Sequence, residues 1–140
     1  MTVGQSIVNW LYTFGNIEIN PDVMIETDQL DSAPDSYGLY KQANKVTTPF
    51  VDGSSDNSEY YYLLVRQPSK TNAARVDNQA WMESLESWIR EQNIARNLPT
   101  LEDGKQCYGI SVSVSGYMME TESDTAAYQI SMKIDYTEVR

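Results

Sequence analysis

Two stretches in the last third of the sequence alternate apolar and polar residues, the first from 108 to 115 and the second from 128 to 136. Successive side chains of a β-strand point to opposite faces, so each stretch predicts a strand with one buried and one solvated face. We expect these strands at about 107–118 and 127–137. The side chains predicted to face the core are Tyr108, Ile110, Val112 and Val114 in the first strand and Tyr128, Ile130, Met132, Ile134 and Tyr136 in the second.

The segment from 120 to 125, between these strands, is polar and acidic. It predicts a turn and therefore an antiparallel hairpin, because a parallel pair needs a crossover connection of about a dozen residues or more. The second face of the hairpin carries small and polar residues, which suit solvent or a hydrated interface. These residues are Ser111, Ser113, Ser115, Gln129, Ser131 and Lys133.

Two helices are predicted to cover the buried face of the hairpin. The longer, at about 77–94, has Asp77 as its N-cap and ends before Leu98-Pro99. The shorter, at about 2–14, is too short to be stable alone and must pack on the sheet. Apolar residues recur at helical spacing in both. They are Trp81, Met82, Leu85, Trp88 and Ile89 in the longer helix and Val3, Ile7, Leu11 and Phe14 in the shorter.

The middle of the chain predicts further strands at about 37–42 and 60–67, with the polar, Pro49-containing segment 43–58 as a surface loop. The segment 17–27 predicts only a weak strand, because Pro21 interrupts it. The order of elements indicates an α+β fold: a mainly antiparallel sheet of four to five strands with two helices packed on one face. At 140 residues the chain suits a single domain, 1–140.

The composition excludes several kinds of chemistry. The chain has no histidine, which excludes histidine-based catalysis and histidine metal sites, and its single cysteine, Cys107, excludes an internal disulfide. Acidic clusters at 28–35, 52–59 and 120–124 lack the spacing of a metal or catalytic site, and Asp52–Asn57 resembles a calcium loop only superficially. We therefore expect no enzyme activity, no cofactor and no metal site.

Charge and hydropathy restrict the partners. The net charge of −10 opposes binding to nucleic acid, since the overall field repels phosphate. No apolar run approaches the roughly twenty residues of a membrane span, and the first twelve residues lack the features of a secretory signal. We expect a protein that folds in the cytoplasm, without membrane partners.

The second half of the sequence resembles the minor capsid or tail-terminator proteins of long-tailed phages and of prophages of Gram-positive bacteria. The resemblance covers about residues 60–138 and lies in the order and spacing of many ordinary residues, with no single diagnostic motif. The matching residues are Trp81-Met82-Glu83-Ser84-Leu85, Trp88-Ile89, Gln92-Asn93, Leu98-Pro99, Leu101, Gly104-Lys105, Gly116-Tyr117, Tyr128-Gln129-Ile130 and Tyr136.

This resemblance implies a structural protein that assembles as a homo-oligomeric ring at the end of the tail tube that meets the head. We expect the ring to be a hexamer. Such a ring ends tail polymerisation and contacts tail-tube and neck proteins, while DNA passes through it without specific binding. The implied location is the head–tail junction of the virion, after assembly in the cytoplasm of the bacterial host. The family has no short site motif, so no catalytic or binding residues are transferred.

Two alternatives remain open. The first is another ring protein of the neck, or the tail tube itself, which shares this kind of small sheet-and-helix domain. The second is a carboxylate-based enzyme or a small-molecule-binding module, which requires acidic residues that converge in an apolar pocket with strongly shifted pKa values.

The acidic turn, Glu120, Glu122 and Asp124, is the candidate functional site. In a ring, a projecting hairpin would carry these carboxylates into the bore, where they repel DNA phosphate, or onto an interface at a flat face of the ring. The alternative is a solvated turn whose charges prevent aggregation through the sheet edge.

Overall fold

A computed structural model describes residues 2–14, 25–27, 36–69, 71–121 and 125–139. Within these ranges the chain forms two helices and six strands, and the predicted α+β fold is confirmed. Both helices pack on one face of a single sheet. In chain order the elements are α1 (Val3–Leu11), β1 (Ile25–Thr27), β2 (Ser36–Lys41), β3 (Val46–Pro49), β4 (Ser55–Pro68), α2 (Asn72–Ala95), β5 (Lys105–Thr121) and β6 (Thr125–Glu138).

The strands lie in the order β1-β2-β4-β6-β5, and β3 pairs with the first part of β4. All pairs are antiparallel except β1 with β2. The predicted hairpin of β5 and β6 is confirmed, and β4 and β6 form the centre of the sheet, with Ser55 opposite Glu138 at one end and Pro68 opposite Thr125 at the other. Of the predicted weak strand 17–27, residues 25–27 form β1 and residues 17–24 lie outside the described ranges, as does Pro34.

The strict alternation predicted for β5 is wrong at two positions. Register shifts interrupt its pairing with β6 between Cys107 and Gly109 and between Val112 and Val114. An extra residue in a strand reverses the face to which the following side chains point. Tyr108 and Val114 are consequently 44% and 49% exposed, whereas Cys107 and Ile110 occupy the core.

The helix predicted to start at Asp77 starts earlier, at Asn72. Its N-cap is Thr71, whose hydroxyl accepts a hydrogen bond of 3.0 Å from the backbone N–H of Ala74. Asp77 is an exposed residue inside the helix. At the other end Arg96 adopts a left-handed conformation with φ 64°, and the N–H of Asn97 donates to the carbonyl of Gln92, which ends α2 before Pro99.

The apolar stripe of α2 divides into two parts. Met82, Leu85 and Ile89 are buried against the sheet. The two tryptophans face α1 and the turn that follows it: the Trp88 ring lies 4.6 Å from that of Trp10 in α1, and the Trp81 ring lies 6.0 Å from that of Phe14 in the turn. Ring contacts of this kind therefore attach the short helix α1 to α2.

The segment 43–58, predicted as a surface loop, is mostly a β-hairpin. β3 pairs with residues 55–58 of β4, from Val46 opposite Ser58 to Pro49 opposite Ser55. The strand predicted at 60–67 thus begins five residues earlier. Pro49 is compatible with this arrangement because it lies in an edge strand, where a backbone donor is not required.

Gly104 lies in a turn whose backbone conformation favours glycine over any other residue. Its φ is +75°, and a Cβ there would lie 2.7 Å from the backbone oxygen of Val139. We expect Gly104→Ala to reduce the free energy of unfolding by about 1–3 kcal/mol, measured by chemical denaturation. Gly109→Ala is the matched control, because the nearest atoms would lie 3.7 Å from its Cβ, and its effect should stay within about 0.5 kcal/mol. Equal effects of the two substitutions would contradict this account.

Candidate functional site

The predicted acidic turn is only partly described. Glu120 is the second-last residue of β5, where its backbone pairs with Ala127. Glu122 and Asp124 lie outside the described residues. The connection between β5 and β6 is at the end of the sheet opposite the β3–β4 hairpin, and the role of its carboxylates stays a prediction.

A buried carboxylate that the sequence analysis did not single out lies at the other end of the sheet. Glu59 of β4 is 3% exposed and points to the same side of the sheet as the core. Its Oε1 lies 2.9 Å from Nζ of Lys41 on β2, and its Oε2 accepts a hydrogen bond of 2.7 Å from the hydroxyl of Tyr136 on β6. Glu59 precedes the predicted strand 60–67, and it shares the inward face of Tyr61 and Leu63 only because β4 begins at Ser55.

These contacts determine the pKa of the Glu59 carboxyl. Burial alone would raise the pKa of its carboxyl, but the hydrogen bonds from Lys41 and Tyr136, together with the charges of Lys41 and Lys45, outweigh burial and hold the pKa below its usual value. Burial and the hydrogen bond to Glu59 raise the pKa of Tyr136. At neutral pH Glu59 is therefore charged and Tyr136 is a donor.

A cleft of about 610 Å³ opens beside Glu59 at the start of α1. Three lysines and three carboxylates line it, so its charges balance. Both oxygens of Glu59 are engaged within the fold, and the carboxylate therefore stabilises the packing of β2, β4 and β6 rather than offering a free acid or base to the cleft. The charged residues at the cleft are Lys41, Lys45, Lys105, Glu59, Asp103 and Glu138.

Other potential chemistry in the described part of the chain is limited. No group of three or more Cys, Asp or Glu side chains there is placed to hold a metal ion. Cys107 is buried, and burial raises the pKa of its thiol to about 11, so the thiol stays protonated at neutral pH.

The hairpin tip (Pro49–Ser54) exposes apolar side chains on a rigid turn. Phe50 is 49% exposed and Val51 is fully exposed. The backbone N–H of Phe50 donates to the carbonyl of Ser54 over 2.8 Å, and the carboxylate of Asp52 accepts from both the N–H and the hydroxyl of Ser54. The hydrogen-bonded turn therefore presents two apolar side chains to water.

Contacts at its base fix the hairpin to the sheet. The Thr47 hydroxyl donates to the Asn57 side chain over 2.9 Å, which joins β3 to β4. The hydroxyl of Tyr108 donates to Asp56 over 2.6 Å, and this hydrogen bond raises the pKa of Tyr108 to about 12. Tyr108 lies at the first bulge of β5, and its side chain reaches across β6 to contact the base of the hairpin in β4.

A cleft of mixed lining lies where α2 crosses β5: Met82 and Tyr128 are buried at its floor, and its polar residues are Arg75, Gln79, Glu83, Glu86 and Ser115. We call it the methionine pocket: a cleft of about 400 Å³ whose apolar lining is Met82, Gly116, Tyr117, Met118 and Tyr128. Tyr117 and Met118 are nearly half exposed. The helix approaches closely here, because a Cβ on Gly116 would lie 2.5 Å from Cε of Met82.

Side chains of α2 satisfy two backbone donors of β5, one at the methionine pocket and one nearer the start of the strand. Glu86 accepts from the N–H of Gly116 over 2.7 Å, and Asn93 accepts from the N–H of Ile110 over 3.1 Å. β5 is an edge strand, and these contacts cover part of its open edge. The methionine pocket thus lies where α2 is attached to β5 by the hydrogen bond between Glu86 and Gly116.

Among the described helices, none is long and apolar enough to cross a membrane. Comparison of the chain with models of known protein families and with curated protein sequences finds no match.

Proposed function

We propose that this chain is a structural virion protein that assembles as a ring, caps the tail tube of a long-tailed phage, ends its polymerisation and joins tail to head. The observation that carries the proposal is the hairpin tip, where Phe50 and Val51 stand in water on a hydrogen-bonded turn. Because Phe50 and Val51 are adjacent, they form one continuous apolar group at the tip, which a protein partner could cover. The sequence resemblance supplies the place of the contact, at the end of a phage tail.

The rigidity of the tip favours an assembly role. Ordering a flexible loop on binding costs about 0.5–1.5 kcal/mol for each immobilised side chain. The hydrogen bonds between Asp52 and Ser54 and between Phe50 and Ser54 order the tip in the free protein. The ordering of the backbone therefore adds little to this cost when the tip binds a partner, and the side chains of Phe50 and Val51 account for the remainder.

The charge of the chain supports a ring through which DNA passes. The net charge of −10 repels phosphate, and a band formed by Glu120, Glu122 and Asp124 from each copy would repel it over about 8 Å at physiological salt. In this proposal the ring encloses DNA without binding it. A solvated turn outside the bore remains the alternative for these three residues.

The test separates a terminator from a tail-tube subunit. We expect negative-stain electron microscopy of the purified protein to show closed rings of one size. Native mass spectrometry should give a single oligomer, which we expect to be a hexamer. A tube subunit stacks without limit, whereas a terminator stops at one ring. Open-ended tubes would contradict the terminator function and favour the tail-tube alternative.

A further inference from the structure

We propose that an acidic segment of one copy (residues 118–124) binds in a cationic cleft of a second copy of this chain. This inference rests on the proposed ring and identifies a contact that builds it. The cationic cleft has a volume of about 570 Å³ and lies between the end of α2 and the start of β5. Its lining includes Arg96, Leu98, Leu101, Lys105 and Tyr108.

The lining of the cationic cleft carries two positive charges and no carboxylate. This is unusual in a chain whose acidic residues outnumber its basic ones by twenty to ten. Neither Arg96 nor Lys105 has an ion-pair partner among the described residues. Two cations that share a cleft without counter-ions of their own favour an anionic ligand.

The carboxylates that are closest along the chain lie outside this lining. Glu102 and Asp103 are exposed in the turn before β5. Asp103 and Glu138 line the neighbouring cleft beside Glu59, which Lys105 also borders. Arg96 does not border that neighbouring cleft. Arg96 is therefore the principal cation that the cationic cleft offers to a ligand, and Lys105 adds to it.

Hydrogen bonds hold the cationic cleft in shape. The guanidinium of Arg96 donates to the carbonyl of Tyr108 over 2.9 Å, and Nε1 of Trp10 donates to the carbonyl of Asn97 over 2.7 Å. Leu98 packs against the core and is only partly buried, so it leaves apolar surface beside the two cations. A cleft that is already ordered binds a ligand with less loss of conformational freedom.

The acidic segment carries the groups that complement the cleft. Met118 and Met119 are 48% and 42% exposed, and they precede three carboxylates, Glu120, Glu122 and Asp124. Methionine side chains are flexible, so they adapt to apolar surface such as the leucines of the cleft. Carboxylates form strong, charge-assisted hydrogen bonds with guanidinium and ammonium groups. Segment and cleft therefore match in both apolar surface and charge.

A molecule's own acidic segment does not reach its own cleft. Lys105 lies opposite Glu138 of β6, whereas Glu120 lies opposite Ala127. Eleven residues of β6 separate these two levels and span about 36 Å at roughly 3.3 Å per residue. Because β5 pairs with β6 along this length, the two surfaces stay at opposite ends of the strand. A second copy of the chain brings them together.

This contact fits a ring because its two halves are different surfaces of the molecule. Each copy offers its cleft to one neighbour and its acidic segment to the other. Such a heterologous contact closes into a ring when the rotation between copies permits, and otherwise forms an open filament. In this ring the carboxylates of the acidic segment lie between copies rather than in the bore, and the remaining net charge of the chain repels DNA.

The experiment reverses the charges of each half. The cleft variant carries Arg96→Glu and Lys105→Glu, and the segment variant carries Glu120→Lys and Glu122→Lys. We expect each variant to dissociate in light scattering at concentrations where the wild type is oligomeric, with a contact at least about 10-fold weaker. Mixing the two variants should restore the oligomer, because every contact in the mixture then joins opposite charges. Restored assembly of this kind does not result from a damaged fold.

Two controls make the same charge reversals outside the contact. Arg90→Glu and Glu91→Lys lie at exposed positions of α2 away from the cationic cleft and should leave the oligomer intact. If the cleft variant melts at a lower temperature than the wild type, Arg96→Gln takes its place, because it removes the charge and keeps an amide donor for the carbonyl of Tyr108. This variant should also weaken the contact.

The outcomes separate this contact from the proposed ring. Rings that persist in both variants, or variants that stay dissociated when mixed, would overturn the contact and leave the ring standing. Open filaments that both variants dissolve and their mixture restores would support the contact and contradict the terminator function. A monomeric wild type would contradict both.

Discussion

Replacement of Leu85 by alanine is expected to lower the free energy of unfolding by about 2–5 kcal/mol. Leu85 is fully buried at the centre of the α2 stripe, between Met82 and Ile89, and belongs to the core cluster shared by both helices and the sheet. Removing its side chain leaves a cavity that close-packed neighbours fill only in part. Chemical denaturation followed by circular dichroism measures the change.

Ile94→Ala is the matched control for this prediction, since it removes the same number of carbon atoms from an exposed position of the same helix. Ile94 is 75% exposed, so the effect should stay within about 0.5 kcal/mol. A loss of 2–5 kcal/mol is a large part of the stability of a small domain. If Leu85→Ala melted like the wild type, the packing of α2 on the sheet described above would be wrong.

Replacement of Glu59 by alanine is expected to cost about 1–3 kcal/mol, because it leaves the hydroxyl of Tyr136 without its acceptor. Tyr136 is 1% exposed, so in the folded protein its hydroxyl depends on Glu59 as the acceptor. Lys41 is 54% exposed at its side chain and remains solvated, so its charge adds little to the cost. In a Tyr136→Phe background the same substitution should cost less, and a double-mutant cycle measures the difference. Equal costs in both backgrounds would show that the hydrogen bond is not responsible.

The stabilisation by Glu59 should depend on pH. The pKa of its carboxyl is lowered in the folded state from the usual 4.5, so the unfolded chain takes up a proton first as the pH falls. The contribution is complete above about pH 4.5 and is lost as the pH falls through the lower, folded-state pKa. Glu59→Gln does not titrate, and the difference in stability between it and the wild type should therefore shrink in acid. A difference that stays constant from neutral to acid pH would contradict this origin.

The bulges of β5 show why the candidate surfaces could not be located from the sequence. Alternation from 108 to 115 predicts one apolar face, yet Tyr108 and Val114 point away from the core, because inserted residues shift the register against β6. The register of β5 is a matter of its pairing with β6 and of its contacts with α2, whose Asn93 and Glu86 accept hydrogen bonds from the N–H groups of Ile110 and Gly116. None of these long-range contacts is visible in local periodicity.

The hairpin of β3 and β4 escapes local prediction for a related reason. Its polar composition and Pro49 predict a loop, and it becomes a hairpin through pairing with β4, while Asp52 accepts hydrogen bonds from Ser54 at the tip. The early start of α2 likewise depends on the capping hydroxyl of Thr71, a residue type that caps helices as Asp77 could.

The sequence by itself determined the fold class, the β5–β6 hairpin and the inward face of α2. These depend on regular periodicity over many residues, which the burial of one face imposes on any helix or strand. Tertiary structure alone decided where apolar groups are left exposed and where a carboxylate is buried. The side chains of Phe50 and Val51 are exposed because their hairpin projects from the sheet. The carboxylate of Glu59 can be buried because Lys41 and Tyr136 lie on neighbouring strands and contact it. Such placements depend on which strands become neighbours, and that is a property of the folded chain rather than of any local segment.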